Sequence, residues 1–205
     1  MYNVSMKYEW KKSEKDIYLP KAEPTLTTIP KMKYFTISGK GDPNDKEFSD
    51  KVGALYGMAY AVRMMPRNGF TPNNYFEYTV YPLEGVWSGD ASDKSSFSYT
   101  IMIRQPDFVD REVYRRALEI TQRKKPSPYL SEIKFDEIED GLAIQMLHVG
   151  AYDDEPQTFA KMAEFAKENG YERTTETHRE IYLTDPNRGA PDKQKTVLRI
   201  FVKKS

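Results

Sequence analysis

Apolar and polar positions change rhythm several times along the chain. Lys33–Ser38 reads as a strand that ends at Gly39. The segment GKGDPND that follows is a turn cluster. Phe48, Val52, Leu55, Ala59 and Val62 then recur at 4-3-4-3 spacing, one apolar stripe at helical period. This predicts a helix over Lys46–Met65, with Asp45 as N-cap and Pro66 and Gly69 stopping it. Tyr75–Tyr81 and Phe97–Ile103 alternate with period 2, which predicts half-exposed antiparallel strands. A charged helix is expected over Asp110–Lys124, broken by Pro126 and Pro128.

The second half repeats that order. EIKFDEI and LAIQMLHV are expected to form a hairpin around Glu139-Asp140-Gly141. A helix over Pro156–Asn169 has Pro in its first turn and Gly170 at C′. Strands His178–Thr184 and Thr196–Val202 follow. Gly39 and Gly150 precede Phe48 and Phe159 by the same interval, and FEYTVYPLEG (76–85) overlays EIYLTDPNRG (180–189). The expectation is a duplicated βαββ module, with halves at about 31–125 and 126–205. The fold class is then α+β: tandem modules related by a pseudo-two-fold, one antiparallel sheet with helices, and a central ligand cleft at the seam. Residues 1–30, Lys-rich and with Pro20, Pro24 and Pro30, read as an extended strap pinned by Trp10 and Tyr18.

Composition narrows the functions. Lys+Arg is 31 and Asp+Glu is 31, so the basic excess of a nucleic-acid binder is missing. There is no Cys, which excludes disulfides, thiolate chemistry and Cys-based zinc sites. No apolar run is long enough for a spanning helix, so no membrane partner is expected. The N-terminal MYNVSMKYEWKKSEK lacks a signal-peptide apolar region, and the expected address is the cytoplasm. Nothing in the pattern specifies an oligomeric state. The 15 Tyr and 10 Phe suggest walls with polar tips, at interfaces or in a pocket.

The repeat also locates an asymmetry. Its overlay sets Glu180 where the first half has Phe76. His178, Glu180 and Tyr182 share one strand face. If that face is the cleft wall, a carboxylate sits among aromatic rings, which suits a general base or a cation acceptor. If it faces outward, Glu180 is an ordinary solvated acid. His178 and Glu180 have no third metal ligand at recognisable spacing, so neither metal nor other cofactor is expected. His148, at a strand end, reads as a structural His. No phosphate loop and no G-x-S-x-G elbow is present.

At HREIYLTDPNRGAPDKQKTVLR (178–199) the chain resembles the C-terminal signature of GyrI-like small-molecule-binding proteins. HVGAYDDEP (148–156) resembles their second-helix entry, with Ala151 where Pro is usual. SGKGDPN (38–44), YTVYPLEGVW (78–87) and IRQPDFV (103–109) are also similar. The resemblance implies a groove for drug-like aromatic molecules. In regulator members a buried acid ringed by aromatics reads a lipophilic cation, and Glu180 and Tyr182 match that acid and its neighbour. A stand-alone subfamily of similar length hydrolyses the cyclopropane ring of DNA-alkylating cyclopropanoids of the yatakemycin type, in an aromatic cage. The expected site is therefore Glu180 and Tyr182 for chemistry, with Trp87, Tyr78, Tyr56 and Phe76 holding the ligand. The alternative is a non-catalytic sequestering or sensing protein. A third reading, masking of DNA gyrase, would need an acidic surface block that the balanced charge does not supply.

Overall fold

The computed structural model describes residues 7–90, 92–185 and 190–205. Two four-residue helices, α1 (Trp10–Ser13) and α2 (Lys15–Tyr18), lead into strands β1 (Thr25–Ile29) and β2 (Met32–Lys40). Helix α3 (Lys46–Arg63), strands β3 (Leu83–Ser88) and β4 (Ser98–Gln105) and helix α4 (Arg111–Lys124) complete the first half. The second half runs β5 (Lys134–Ile138), β6 (Gly141–Val149), α5 (Glu155–Glu168), β7 (Tyr171–Tyr182) and β8 (Lys195–Lys204). The strands form one antiparallel sheet in the order β1-β6-β8-β7-β3-β4-β2-β5. The α+β class, the single sheet and the βαββ order β2-α3-β3-β4 and β6-α5-β7-β8 are as the sequence predicts.

The sheet is curled. In a flat sheet β1 and β2 would stand six strand spacings apart, roughly 29 Å. Yet Ile29 and Met32 are three residues apart along the chain, a reach of at most about 11 Å. Ile29 pairs with Gly141 and Met32 with Ile138, so the register crosses from β1/β6 to β2/β5 without a slip. Residues 25–40 and 134–149 are thus two long strands bent in the middle and paired along both arms. This corrects the expected hairpin at 139–141: β5 and β6 do not pair with each other. Gly141, with φ of 63°, supplies a bend rather than a reversal.

The three long helices cover one face. On α3, Leu55, Met58, Ala59 and Val62 are buried against β2 and β4, while α4 sets Tyr114 against Phe35 of β2. Helix α5 packs Met162 and Ala166 with Ile144, Met146, Leu198 and Ile200 of β6 and β8. Asp45 does occupy the N-cap of α3 but its side chain makes no capping bond, whereas Asp110 accepts from Val113 N at the start of α4. The central pair, β3 and β7, runs along the seam between α3 and α5.

The opposite face is closed by the curl and by the N-terminal arm. There Arg179 donates to Glu84 Oε2 (3.0 Å) and Asp140 Oδ1 (2.6 Å), and Arg199 donates to Asp140 Oδ2 (2.7 Å) and Gln145 Oε1 (3.0 Å). Arg179, Arg199 and Glu84 are each 1% exposed. Gln145 Nε2 in turn donates to the carbonyl of Asp16, and Arg104 pairs with Glu14. Trp10 and Tyr18 are buried, as a pinned strap requires, but the arm is more structured than the extended reading: it has α1, α2 and the edge strand β1.

Tyr75–Tyr81 is not a strand. Its backbone partners come from the arm and from side chains: Tyr8 N donates to Glu77 O, Thr79 N to Tyr8 O, Trp10 Nε1 to Val80 O and Arg63 Nε to Tyr78 O. The alternation reflects aromatic packing on both sides, and the strand begins after Pro82.

Candidate functional site

Four residues of the central strands converge on the seam. Glu180 is opposite Gly85, and His178 is opposite Trp87. Alternation puts all four on the helix-covered face with Tyr182. Glu180, 9% exposed, takes two hydrogen bonds: Tyr182 Oη donates to Oε2 at 2.8 Å, and His178 Nε2 lies 2.9 Å from Oε1 as the donor. Trp87 Nε1 donates to the Tyr182 hydroxyl at 2.8 Å. The chain Trp87–Tyr182–Glu180–His178 is therefore fixed at each step.

Gly85 makes this possible. A Cβ there would stand 2.5 Å from Trp87 Nε1, so the indole folds back over the glycine toward β7. Its other side packs on Phe48 of α3 (5.6 Å between centroids), Tyr99 (5.2 Å) and Phe97 (5.9 Å). Phe159 of α5 meets the His178 ring edge-on at 4.7 Å. Tyr152, in the turn before α5, meets the Tyr182 ring edge-on at 6.2 Å.

A second carboxyl, not singled out from the sequence, lies in the same place. Glu155 is 7% exposed and opens the buried stripe of α5 that continues with Thr158, Met162 and Ala166. Its Oε1 is buried without a hydrogen-bond partner. Burial first, then the negative charge of Glu180 and that of Asp153, push its carboxyl well above the ordinary carboxylate range. Burial also pushes the Tyr182 hydroxyl far up, reinforced by Glu180, so Tyr182 keeps its proton. Tyr152 is raised to about 12, again by burial first and then by Glu180 and Glu155.

His148 is the structural His that the sequence suggested. Its Nε2 is 2.9 Å from the carbonyl of Ala151, an acceptor only, and its Nδ1 is 2.9 Å from Thr158 Oγ1. Nε2 therefore carries the proton, and the ring ties the loop before α5 to the helix itself.

The other expected site residues divide. Tyr56 of α3 is half-buried at one end of the seam, bonded to the Leu83 backbone, and its hydroxyl is pushed up mainly by burial. Phe76 and Tyr78 share the core with Trp87 but make their ring contacts elsewhere: Phe76 packs on Tyr8, Tyr78 and Phe108, and Tyr78 on Tyr81. The overlay of Glu180 on Phe76 does not join equivalent strand positions, because Phe76 is outside every strand while Glu180 is in β7. Pro186 and Gly189 of the repeat overlay fall outside the described residues.

Two surface hollows, of about 420 and 270 Å³, flank α4 and share no lining residue with the seam. Among the described residues no group of three or more His, Cys, Asp and Glu could hold a metal ion, and no helix is long and apolar enough to cross a membrane.

Comparison with known proteins agrees with this architecture. A hydrolase encoded by lin2189 from Listeria innocua is 36% identical, over 96% of this chain and 100% of that one, with a TM-score of 0.92. An uncharacterized conserved protein from Listeria innocua is 37% identical, with 96% and 100% covered and a TM-score of 0.91. The EcmrR C-terminal domain shares the fold at 16% identity and a TM-score of 0.53, covering 89% of this chain and 98% of that one. No curated protein sequence matches the chain. The family model for the GyrI-like small molecule binding domain matches residues 22–203, and the chain belongs to that family.

Proposed function

We propose that the chain binds planar aromatic or cationic small molecules at the α3–α5 seam and hydrolyses cyclopropanoid cyclohexadienones there, adding water across a cyclopropane bond. The cell gains protection from a DNA-alkylating compound. The observation that carries this reading is Glu180: a nearly buried carboxylate with both oxygens hydrogen-bonded, to His178 and to the Tyr182 hydroxyl that Trp87 also reaches. The name hydrolase borne by the 36% identical Listeria innocua protein supports the catalytic part.

The substrate is a strained electrophile whose opening restores an aromatic phenol. Trp87, the ring of Tyr152 and Tyr56 at the seam's end would hold the flat ligand by stacking, worth about 0.5–1.5 kcal/mol per aromatic pair beyond area burial. Glu180 takes a proton from the attacking water. Tyr182 already donates to Glu180, so it fixes the base in place rather than facing the ligand oxygen.

Incubation of the purified chain with excess cyclopropanoid tests this. More than one ring-opened product per chain is expected, with no added cofactor. Glu180→Gln is expected to lower turnover more than ligand affinity, and unchanged turnover in that variant removes Glu180 as the base. A carboxylate among rings also suits cation capture without chemistry. Stoichiometric protection, one ligand per chain with no product, would establish that second reading.

A further inference from the structure

The hydrolase reading leaves one role unfilled. Opening the ring drives an electron pair onto the ligand's ketone oxygen, and that oxygen needs a proton. Tyr182 is committed to Glu180, and the ring contacts of Tyr78 are with Phe76, Tyr81 and Phe108 away from the seam. Glu155 is a buried acid at the seam to which no role has yet been given.

Its position is unusual for a helix start. Glu155, Thr158, Met162 and Ala166 are the buried residues of α5, so the carboxyl occupies a place on the helix face that otherwise meets the sheet. Tyr152, three residues earlier, touches Tyr182. The turn thus delivers Tyr152 and Glu155 together to the end of β7 that carries Glu180. A buried polar atom without a partner is costly and uncommon, and Glu155 Oε1 is one. The Asp153–Asp154 pair before it stays exposed, so Glu155 alone of that acidic run turns inward. The titratable groups that act on it or feel it are Glu180 and Tyr182 on β7 and Tyr152 and Asp153 in the turn. Asp153 itself lies 4.0 Å from the ammonium of Lys94. His148 on β6 is occupied by Thr158 and Ala151. Burial and the neighbouring negative charge of Glu180 favour the protonated form of Glu155, while Glu180 already accepts from two donors.

We propose that Glu155 is the proton donor of this site, giving its proton to the ketone oxygen of the bound cyclohexadienone as water opens the cyclopropane. The inference rests on the hydrolase reading above. The step balances: water oxygen bonds to the cyclopropane carbon and one ring C–C bond breaks. Its electron pair aromatises the dienone, the new phenol oxygen takes the Glu155 proton, and Glu180 takes the proton from water. The net change is addition of one water, and proton exchange with solvent restores both carboxyls.

The test is turnover of a cyclopropanoid cyclohexadienone against pH for the unaltered chain, Glu155→Gln and Glu155→Asp. Glu155→Gln is expected to lose about 10²–10⁴-fold in kcat, the usual worth of a general acid, with KM changed far less. The alkaline fall in kcat of the unaltered chain should vanish from the residual rate. Glu155→Asp should recover part of kcat and restore the alkaline fall, which a merely structural role does not predict. An infrared carbonyl band of a protonated carboxylic acid at neutral pH, absent in Glu155→Gln, gives a readout independent of turnover. If Glu155→Gln keeps both kcat and the alkaline fall, or the band is missing, the donor assignment is overturned while the hydrolase reading stands. If the unaltered chain makes no product, the hydrolase reading falls, and the donor assignment with it.

Discussion

The indole nitrogen of Trp87 donates to the hydroxyl of Tyr182 across the central strand pair, at 2.8 Å. That side-chain bond adds to the β3–β7 backbone ladder between the two modules, and it exists because residue 85 has no side chain.

Gly85→Ala is therefore expected to push the indole off β7. Overpacking of this kind costs about 1–3 kcal/mol. The check is urea denaturation together with tryptophan emission in a Trp10→Phe background, where Trp87 is the reporter. Unchanged emission and stability would mean that the glycine is incidental.

Tyr182→Phe strips the indole N–H of its acceptor and Glu180 Oε2 of its donor. A loss of about 1–3 kcal/mol is expected for leaving buried polar groups unpaired. Turnover should fall as well, since the base is no longer held. Thermal melting and product formation measure the two effects, and an unaltered melting temperature would contradict the geometry.

Asp140→Asn removes the charge between Arg179 and Arg199. Removing one partner of a buried ion cluster costs about 3–5 kcal/mol. Burial alone would raise the Asp140 carboxyl, but the two guanidiniums outweigh it and hold it below its ordinary value. A depressed acid stabilises the fold above its unfolded pKa of about 3.9. That stability is lost as pH falls through the lower folded value. The gap between the two chains in denaturant should be widest near neutral pH and narrow below about pH 4.

Glu155→Gln should have the opposite pH signature. The folded chain holds this carboxyl protonated far above its unfolded pKa, so its contribution is full at acid pH and erodes as pH rises. The amide does not ionise. Melting curves between about pH 5 and 9 should show the variant gaining on the unaltered chain as pH increases. A constant difference would mean that Glu155 is ionised in the folded protein.

Much of this architecture was legible in the residues. The stripe on α3 gives that helix, because a one-sided helix must bury its apolar face, and Pro and Gly mark the limits of α4 and α5. The i, i+2 spacing of His178, Glu180 and Tyr182 places them on one face, and the resemblance implies that this face is the site. Glu155 escaped notice because it ends the run DDE, and acidic residues at a helix start ordinarily serve the helix dipole in solvent. Its phase with Thr158, Met162 and Ala166 was the one available signal. Asp140-Gly141 carries hairpin chemistry, but the pairing of 25–40 with 134–149 prevails over it. Arg179, Arg199 and Glu84 are buried because the curl and the arm cover their face of the sheet, a long-range effect that strand alternation does not carry.

The bent ribbon of residues 25–40 and 134–149 has a consequence for how the duplication is held together. Each ancestral unit lends its opening strand to the other, as two hooks engage. Cut between α4 and β5, either fragment would bare long rows of unsatisfied amides, ready to zip onto any extended chain nearby. Mixed back in one tube, the fragments should reassemble as a pair rather than fold singly.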